Sequence, residues 1–202
     1  MASKATAPQN GKLLYHMTRL ENMPSILQHG LLSRRILLER GYTFADSANQ
    51  EILVKRDLLN SPLSQYVPFH FYAKNPFDGK VCEIFGSENM VIITIRRSLH
   101  ERSNFYIIPT HPLDRSNPSI YPYDEGFNMI DWPTLNRASN RDYHNDEIRK
   151  KCMAECLVPD MVQTEDFFLV YTPSHKSAQE IRNMKYYRRL ERQPEVNPKM
   201  FR

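Results

Sequence analysis

The stretch that decides the fold is Met-Val-Ile-Ile-Thr-Ile at residues 90–95, an apolar run rich in β-branched side chains. Side chains of this kind pack well on a pleated surface, so the run is the strongest strand prediction in the chain. Weaker strand patterns occur on both sides of it. They cover residues 12–16, 66–72, 105–108, 154–158 and 167–171.

Helices are predicted between these strands. The first covers residues 20–30, where Asn22 is a candidate cap, Pro24 suits the first turn and Gly30 suits the end. Residues 31–49 are expected to be loop with some helix. Further helices are expected at residues 51–59, 131–138, 144–153 and 174–193, and four prolines predict an irregular chain at residues 109–126.

The order of these elements predicts the fold class. Strands and helices do not alternate strictly, and no repeat or Gly/Ser linker divides the chain, which favours an α+β domain over a doubly wound one. We expect a disordered leader at residues 1–11, one domain at residues 12–193 and a C-terminal tail at residues 194–202.

Composition excludes several classes of protein. The 202 residues hold three cysteines, which cannot all pair, so a disulfide scaffold is excluded. Mean hydropathy is −0.59, and neither a membrane-spanning run nor a secretory signal is present. These features predict a cytoplasmic protein without a membrane partner. The 27 Lys and Arg against 23 Asp and Glu give a net charge of +4, which permits a nucleic-acid partner without requiring one.

Common catalytic and metal-binding motifs are absent. With six glycines, the chain has neither a G-x-G-x-x-G nor a Walker loop, and it also lacks H-E-x-x-H and G-x-S-x-G. Cys152 and Cys156 are expected to be small buried hydrophobes rather than metal ligands. We therefore expect no metal, and an enzyme built from this sequence would depend on a soluble cosubstrate for its reactive bond.

Four positions could carry chemistry, and each has a structural alternative. His16 and Thr18 follow a short strand and could face a ribose or amide, or they could simply be bonded within a loop. Arg56 ends a helical pattern and could clamp a pyrophosphate, or it could be a solvated arginine. His111 opens the proline-rich loop and could lie near a site, although an exposed bystander is the more natural interpretation.

Glu155 is the most informative of these positions. In Met-Ala-Glu-Cys-Leu-Val at residues 153–158 a single carboxylate interrupts a small and apolar strand. A carboxylate is costly to bury unless it is paired, neutral or functional. If the strand lies at a sheet edge, however, Glu155 would face water.

Basic residues are densest near the C-terminus. They are interleaved there with Tyr186 and Tyr187, a mixture that single-stranded nucleic acids bind through phosphates and bases. A solvated helix face has the same composition, so both interpretations stay open. The cations are Arg182, Lys185, Arg188, Arg189 and Arg192.

Taken in order, these segments resemble the DarT family of toxins that ADP-ribosylate bases in single-stranded DNA. The resemblance spans residues 12–172 and consists of six short motifs in a shared order. They are Tyr15-His16-Met17-Thr18, Asn22 to Leu31, Lys55-Arg56, Tyr66-Val67-Pro68-Phe69-His70-Phe71 with Pro76, Asp131-Trp132 preceded by a loop histidine at His111, and Ala154-Glu155-Cys156-Leu157-Val158.

The resemblance implies an ADP-ribosyltransferase fold with a central split β-sheet and flanking helices. It implies that NAD, as cosubstrate, contacts His16, Met17, Thr18, Ser25, Ser33 and Arg56, with residues 33–56 folding over it. Glu155 would be the catalytic carboxylate, assisted by Arg56 and His111, and residues 111–155 would present the target base. A cognate antitoxin protein is also implied.

Two departures from the family pattern keep the acceptor open. Pro109-Thr110-His111 replaces its usual Thr-Asp-x-His, and the spacing from Arg56 to the Val-Pro-Phe strand at residues 67–69 is shorter than in the family and poor in glycine. In the NAD pocket, Ser25 stands where the family usually has glycine. Single-stranded DNA is favoured, with RNA, a protein side chain and a non-catalytic nucleic-acid-binding module as alternatives.

Overall fold

A computed structural model describes residues 7–47, 53–55, 63–114, 119–137 and 141–201. Ten strands and seven helices organise these residues. The strands are β1 (Leu13–Arg19), β2 (Leu31–Leu32), β3 (Tyr66–His70), β4 (Met90–Arg96), β5 (Tyr106–Ile108), β6 (Tyr121–Pro122), β7 (Glu155–Pro159), β8 (Met161–Val162), β9 (Phe167–Thr172) and β10 (Glu195–Val196). The helices are α1 (Met23–His29), α2 (Arg34–Glu39), α3 (Pro76–Phe85), α4 (Tyr123–Met129), α5 (Trp132–Leu135), α6 (Asp146–Lys151) and α7 (His175–Arg182).

Eight strands form one mixed sheet in the order β10-β9-β4-β1-β3-β7-β5-β6, and β2 pairs with β8 beside it. Only the β10–β9 pair is parallel, and helices lie between the strands in sequence, which confirms the predicted α+β class. The run at residues 90–95 is fully buried and lies between β1 and β9. Its near-continuous apolar sequence follows from this position.

The sheet opens between β1 and β3. These strands share a single register pair, Tyr15 with His70, whereas β1 pairs with β4 along its whole length. Pro68 explains the gap, because its carbonyl faces β1 and accepts a bond from the His16 ring, while proline has no N–H to donate on that side. The opening is the split that the family resemblance implies.

The two faces of the sheet carry separate apolar clusters. The larger includes Leu14, Phe69, Ile93 and Trp132, and the smaller includes Met17. Cys152 and Cys156 are fully buried among apolar residues, as predicted. Within the described ranges, no helix is long and apolar enough to cross a membrane.

The predicted helix at residues 174–193 is too long, since α7 ends at Arg182. Asn183 closes it, and the chain then turns so that Arg189 can donate hydrogen bonds to the carbonyls of Leu27 and Gln28. Arg189 also pairs with Glu165 at 2.8 Å. Tertiary contacts therefore override a helical pattern in the sequence, and the basic residues of this segment do not share one helix face.

The proline-rich stretch is less irregular than predicted, because β6 and the first half of α4 form within residues 109–126. Both chain ends also pack on the domain in their described parts. Pro8 is buried, so the expected disordered leader is wrong for residues 7–11. At the other end β10 pairs with β9, and Phe201 is buried in the smaller cluster. Of the helix predicted at residues 51–59, only residues 53–55 are described, and they are helical.

Candidate active site

A cavity of about 460 Å³ opens where β1 and β3 diverge. This volume lies in the range of small-molecule sites, roughly 300–1,000 Å³. Its walls come from strands β1, β3 and β7, from helices α1, α3 and α6, from the loop after β5 and from the segment that begins at β2. Among the residues predicted to carry function, the cavity is lined by His16, Met17, Thr18, Ser25, His111 and Glu155.

His16 crosses the split in the sheet. Its Nδ1 lies 2.8 Å from the carbonyl oxygen of Pro68, so this nitrogen donates the hydrogen bond. Burial lowers the pKa of His16 to about 4, and the charge of Glu155 acts weakly in the opposite direction. The ring is therefore neutral near pH 7, and Nε2 is left as a hydrogen-bond acceptor.

Thr18 and Asn22 tie β1 to the segment that follows β2. The amide of Asn22 donates to Thr18 Oγ1 at 3.1 Å and to the carbonyl of Ala45 at 2.9 Å. Its Oδ1 accepts from the backbone N–H of Ala45 at 2.8 Å. Asn22 does stand at the start of α1, but its side chain makes no capping bond. Its amide instead holds a loop against the cavity.

Glu155 is 3% exposed, although it begins a strand. β7 lies between β3 and β5, so the alternative of a solvated edge carboxylate is wrong. Across the sheet Glu155 pairs with His70 on one side and with Ile108 on the other. A buried carboxylate that lines a cavity is a candidate for chemistry.

His111 reaches the same cavity from the loop that leaves β5. The backbone N–H of Leu113 donates to His111 Nδ1 at 3.0 Å. The bonded ring is thus unprotonated at Nδ1, and its neutral form carries the proton at Nε2. Because β5 neighbours β7, the loop brings this imidazole to the wall that also holds Glu155.

Two predicted residues are not placed at the cavity. Ser33 is 1% exposed and its hydroxyl accepts from the N–H of Ile36, so it caps α2 and does not line the cavity. Arg56 lies outside the described residues. The neighbouring Leu53 is described and lines the cavity, as do Arg34, Leu37 and residues 44–47 from the segment expected to fold over NAD.

His70 was missed by the sequence analysis. It is 6% exposed and lines the cavity, and its Nδ1 donates to the carbonyl of Ala154 at 3.1 Å. The buried carboxyl of Asp78 lies near it. Burial raises the pKa of Asp78 to about 6, and the charge of His70 opposes this shift. The sequence does hold a signal for this residue, because His70 is the one ionisable imidazole within the aromatic strand pattern at residues 66–72.

Cations line the outer part of the site. Arg34 forms an ion pair with Asp46, and its guanidinium lies 5.2 Å from the centre of the Phe44 ring. Lys80 and Arg149 also line the cavity and are exposed. A site with a buried carboxylate, a neutral imidazole at His16 and peripheral cations can bind an anionic ligand and stabilise positive charge that develops inside it.

Comparison with a family model gives a match over residues 15–202, and the family is described as ssDNA thymidine ADP-ribosyltransferase, DarT. One curated relative is a DNA ADP-ribosyl transferase–DNA ADP-ribosyl glycohydrolase fusion protein from Thermosipho africanus (strain H17ap60334). It is 24% identical over an alignment of 176 positions that covers 84% of this chain. The match spans 44% of that relative's length.

Solved structures show the same fold. Thermus sp. 2.9 DarT in complex with ADP-ribosylated ssDNA matches with a TM-score of 0.82 at 19% identity, over 100% of both chains. Thermosipho africanus DarTG in complex with ADP-ribose matches with a TM-score of 0.77 at 21% identity, over 95% of this chain and 51% of that one. The Thermus protein in complex with NAD+ gives 0.75 at 19% identity, over 96% and 98% of the two chains.

Proposed function

The chain belongs to the DarT family of ssDNA thymidine ADP-ribosyltransferases, and on this premise we propose that it transfers one ADP-ribose from NAD to a thymine base in single-stranded DNA. The observation that carries the proposal is Glu155. A carboxylate 3% exposed lines a cavity that also receives His16 and His111 from distant parts of the chain.

The inner wall of the cavity suits the nicotinamide riboside part of NAD. His16 is held neutral with an acceptor at Nε2, and Met17, Thr18 and Ser25 lie beside it. The cations that line the cavity, the partly buried Arg34 and the exposed Lys80 and Arg149, suit the pyrophosphate or the DNA backbone. Arg56, which the family resemblance assigns to NAD and to catalysis, remains a proposal from the sequence.

The reaction exchanges one glycosidic bond for another. The C–N bond to nicotinamide breaks and nicotinamide leaves as a neutral molecule, while positive charge develops on the ribose. Glu155 is placed to stabilise that charge. The base then bonds to the anomeric carbon and gives up its N–H proton to Glu155. His111, whose Nδ1 is already bonded and whose neutral ring carries its proton at Nε2, can donate a hydrogen bond to a carbonyl oxygen of the base.

Thymine has one ring N–H in DNA, at N3, because N1 carries the deoxyribose. This nitrogen is paired in duplex DNA, so the base must be unstacked and unpaired to react. A single strand meets that requirement at low cost. We therefore propose N3 as the acceptor atom and the loop that carries His111 as the segment presenting the base.

Incubation with NAD and synthetic oligonucleotides tests the proposal. Mass spectrometry should detect one added ADP-ribose on single-stranded DNA that contains thymidine, and none on the same sequence with every thymidine replaced. Glu155→Gln should lower this transfer by at least about a hundredfold, because it removes the charge while keeping the shape.

Three further substrates define what would overturn the proposal. Matched duplex DNA and matched RNA with uridine should be poor acceptors. Labelling of RNA or of protein in place of DNA would move the acceptor to one of the alternative classes. Oligonucleotide binding without transfer, unchanged in Glu155→Gln, would favour a non-catalytic module.

We also propose a partner that opposes this activity. The curated relative joins a DNA ADP-ribosyl transferase to a DNA ADP-ribosyl glycohydrolase in one chain. By analogy, a separate or fused glycohydrolase would act as the antitoxin, and both proteins would act in the cytoplasm. Co-expression should then relieve growth inhibition caused by this chain.

A further inference from the structure

Helix α6 carries three consecutive cations that have three different surroundings. Arg149 lines the cavity. Lys151 pairs with Asp131 at 2.7 Å, which joins α6 to the start of α5. Lys150 pairs with Asp114 at 3.1 Å, which joins α6 to the loop after β5. The contact between Lys150 and Asp114 thus reaches the loop that bears His111.

Two hydrogen bonds within the loop fix the position of His111. The backbone N–H of Asp114 donates to the carbonyl of His111 at 3.0 Å, and the N–H of Leu113 donates to the His111 ring at 3.0 Å. Both the backbone and the imidazole of His111 are thus fixed within a four-residue turn. The carboxylate that ends this turn is bound to Lys150.

The other end of α6 leads to Glu155. The helix ends at Lys151, and the chain enters β7 at Glu155 after three buried residues. In the sheet, Glu155 pairs with Ile108, the last residue of the strand that precedes the loop. Lys150 is therefore placed to fix the position of His111 relative to Glu155, the two side chains proposed to act on the base.

We propose that Lys150 and Asp114 are positioning residues that hold His111 over the cavity and so govern transfer to the base rather than binding of NAD. This inference rests on the proposed function. Neither residue contributes to the cavity lining, so they act through the loop and not by touching a substrate.

The surroundings of the pair distinguish it from an ordinary surface ion pair. Asp114 is 16% exposed and Lys150 is 28% exposed, whereas Lys80 and Glu83 in a surface pair are 63% and 69% exposed. Lys150 also contacts Asp146 at 3.3 Å and Glu147 at 3.1 Å on its own helix. Its bond to Asp114, followed by these two, raises the pKa of Lys150. The ammonium is consequently held in place by its own helix while it binds the loop.

The test uses Asp114→Asn and Lys150→Met, which remove one charge each and keep the side-chain size. Each should lower kcat/KM for a thymidine oligonucleotide about tenfold, because small displacements of reacting groups are costly. The affinity for carba-NAD+, measured by calorimetry, should stay within about twofold of that of the unmodified chain. Since the two residues act as one unit, the double variant should lose no more than either single variant.

Lys151→Met is the matched control. It removes the same charge from the same helix and breaks an ion pair of its own, yet Lys151 does not contact the loop. Its transfer rate should match that of the unmodified chain. In ¹⁵N spectra, only Asp114→Asn and Lys150→Met should shift the His111 ring away from the Nε2–H form.

Two outcomes would overturn the inference. One is unchanged transfer in both variants while the unmodified chain is active. The other is a loss of carba-NAD+ affinity as large as the loss of transfer, which would indicate general damage to the cavity. An unmodified chain that never labels DNA would instead reject the proposed function, so the two failures are distinguishable.

Discussion

Arg97 and Glu155 are two buried ionisable residues that the fold treats in opposite ways. Arg97 is 7% exposed, and its guanidinium donates to the carbonyls of Pro8, Gln9, Leu13 and Phe71 at 2.7–3.1 Å. It also lies within about 6 Å of three aromatic rings. Glu155 is 3% exposed and lines the cavity.

The difference shows what separates a structural charge from a candidate catalytic one. The hydrogen-bonding capacity of Arg97 is used by backbone carbonyls, which ties the first residues of the chain to β4 and leaves the guanidinium enclosed. Glu155 is enclosed by strands on both sides but borders a space large enough for a ligand. Arg97 and Glu155 are almost equally buried, so burial does not distinguish them. They differ because only Glu155 lines the cavity.

The largest effect is expected when Arg97 is replaced, and it should appear in the stability of the fold. Arg97→Met should lower the free energy of unfolding by roughly 3–4 kcal/mol, because four carbonyl bonds are lost together in the interior. Transfer activity per folded molecule should change less than about threefold. Denaturant unfolding and a rate assay at low temperature measure the two quantities.

Arg96→Met is the matched control for Arg97→Met, since the neighbouring Arg96 is exposed. It should change the free energy of unfolding by less than about 0.5 kcal/mol. Equal effects of the two substitutions would contradict the distinction between the exposed Arg96 at the end of β4 and the buried Arg97 that follows it.

A smaller effect on stability is expected from pH. Burial shifts the pKa values of two groups at the site in opposite directions, lowering that of His16 and raising that of Asp78. The pKa of His16 is about 4 in the folded chain and 6.5 in the unfolded reference. Its contribution to stability is therefore complete above pH 6.5 and is lost as pH falls towards 4. The pKa of Asp78 is about 6 when folded against 3.8, so its contribution grows as pH falls from 6 to 3.8.

His16→Asn keeps a donor for Pro68 and removes the titration. Relative to the unmodified chain it should gain about 2 kcal/mol in free energy of unfolding between pH 7 and pH 4.5. Asp78→Asn should lose a similar amount over that interval. Urea unfolding at both pH values measures the differences, and the same sign for both variants would contradict the assignments.

The smallest expected effect concerns Ser33, which the family resemblance assigns to NAD. Ser33→Ala should cost about 1 kcal/mol of stability, the usual cost of losing a helix cap, and leave carba-NAD+ affinity unchanged. Ser25→Ala, at a residue that lines the cavity, should weaken that affinity instead. If Ser33→Ala bound carba-NAD+ more weakly while Ser25→Ala did not, Ser33 would have to be counted among the residues that bind the ligand.

Much of the fold and of the candidate site could be predicted from sequence. The strands at residues 90–95 and 154–158 were predicted from β-branched and apolar runs, because such runs favour extended backbone whatever surrounds them. His16 and Glu155 were chosen because each polar group stood at or within a strand pattern. The end of α7, the Asn22 bridge to Ala45 and the role of His70 could not be predicted, because each depends on residues distant in sequence.

The sequence by itself determined the α+β class and the family, and it pointed to His16, His111 and Glu155, which line the cavity, since local composition and ordered short motifs carry that information. The tertiary structure decided how those residues are used. Pro68 opens the sheet only because β1 lies beside it, and Arg97 becomes structural through bonds to residues up to 89 positions away. Contacts of that range arise from packing, which no local pattern encodes.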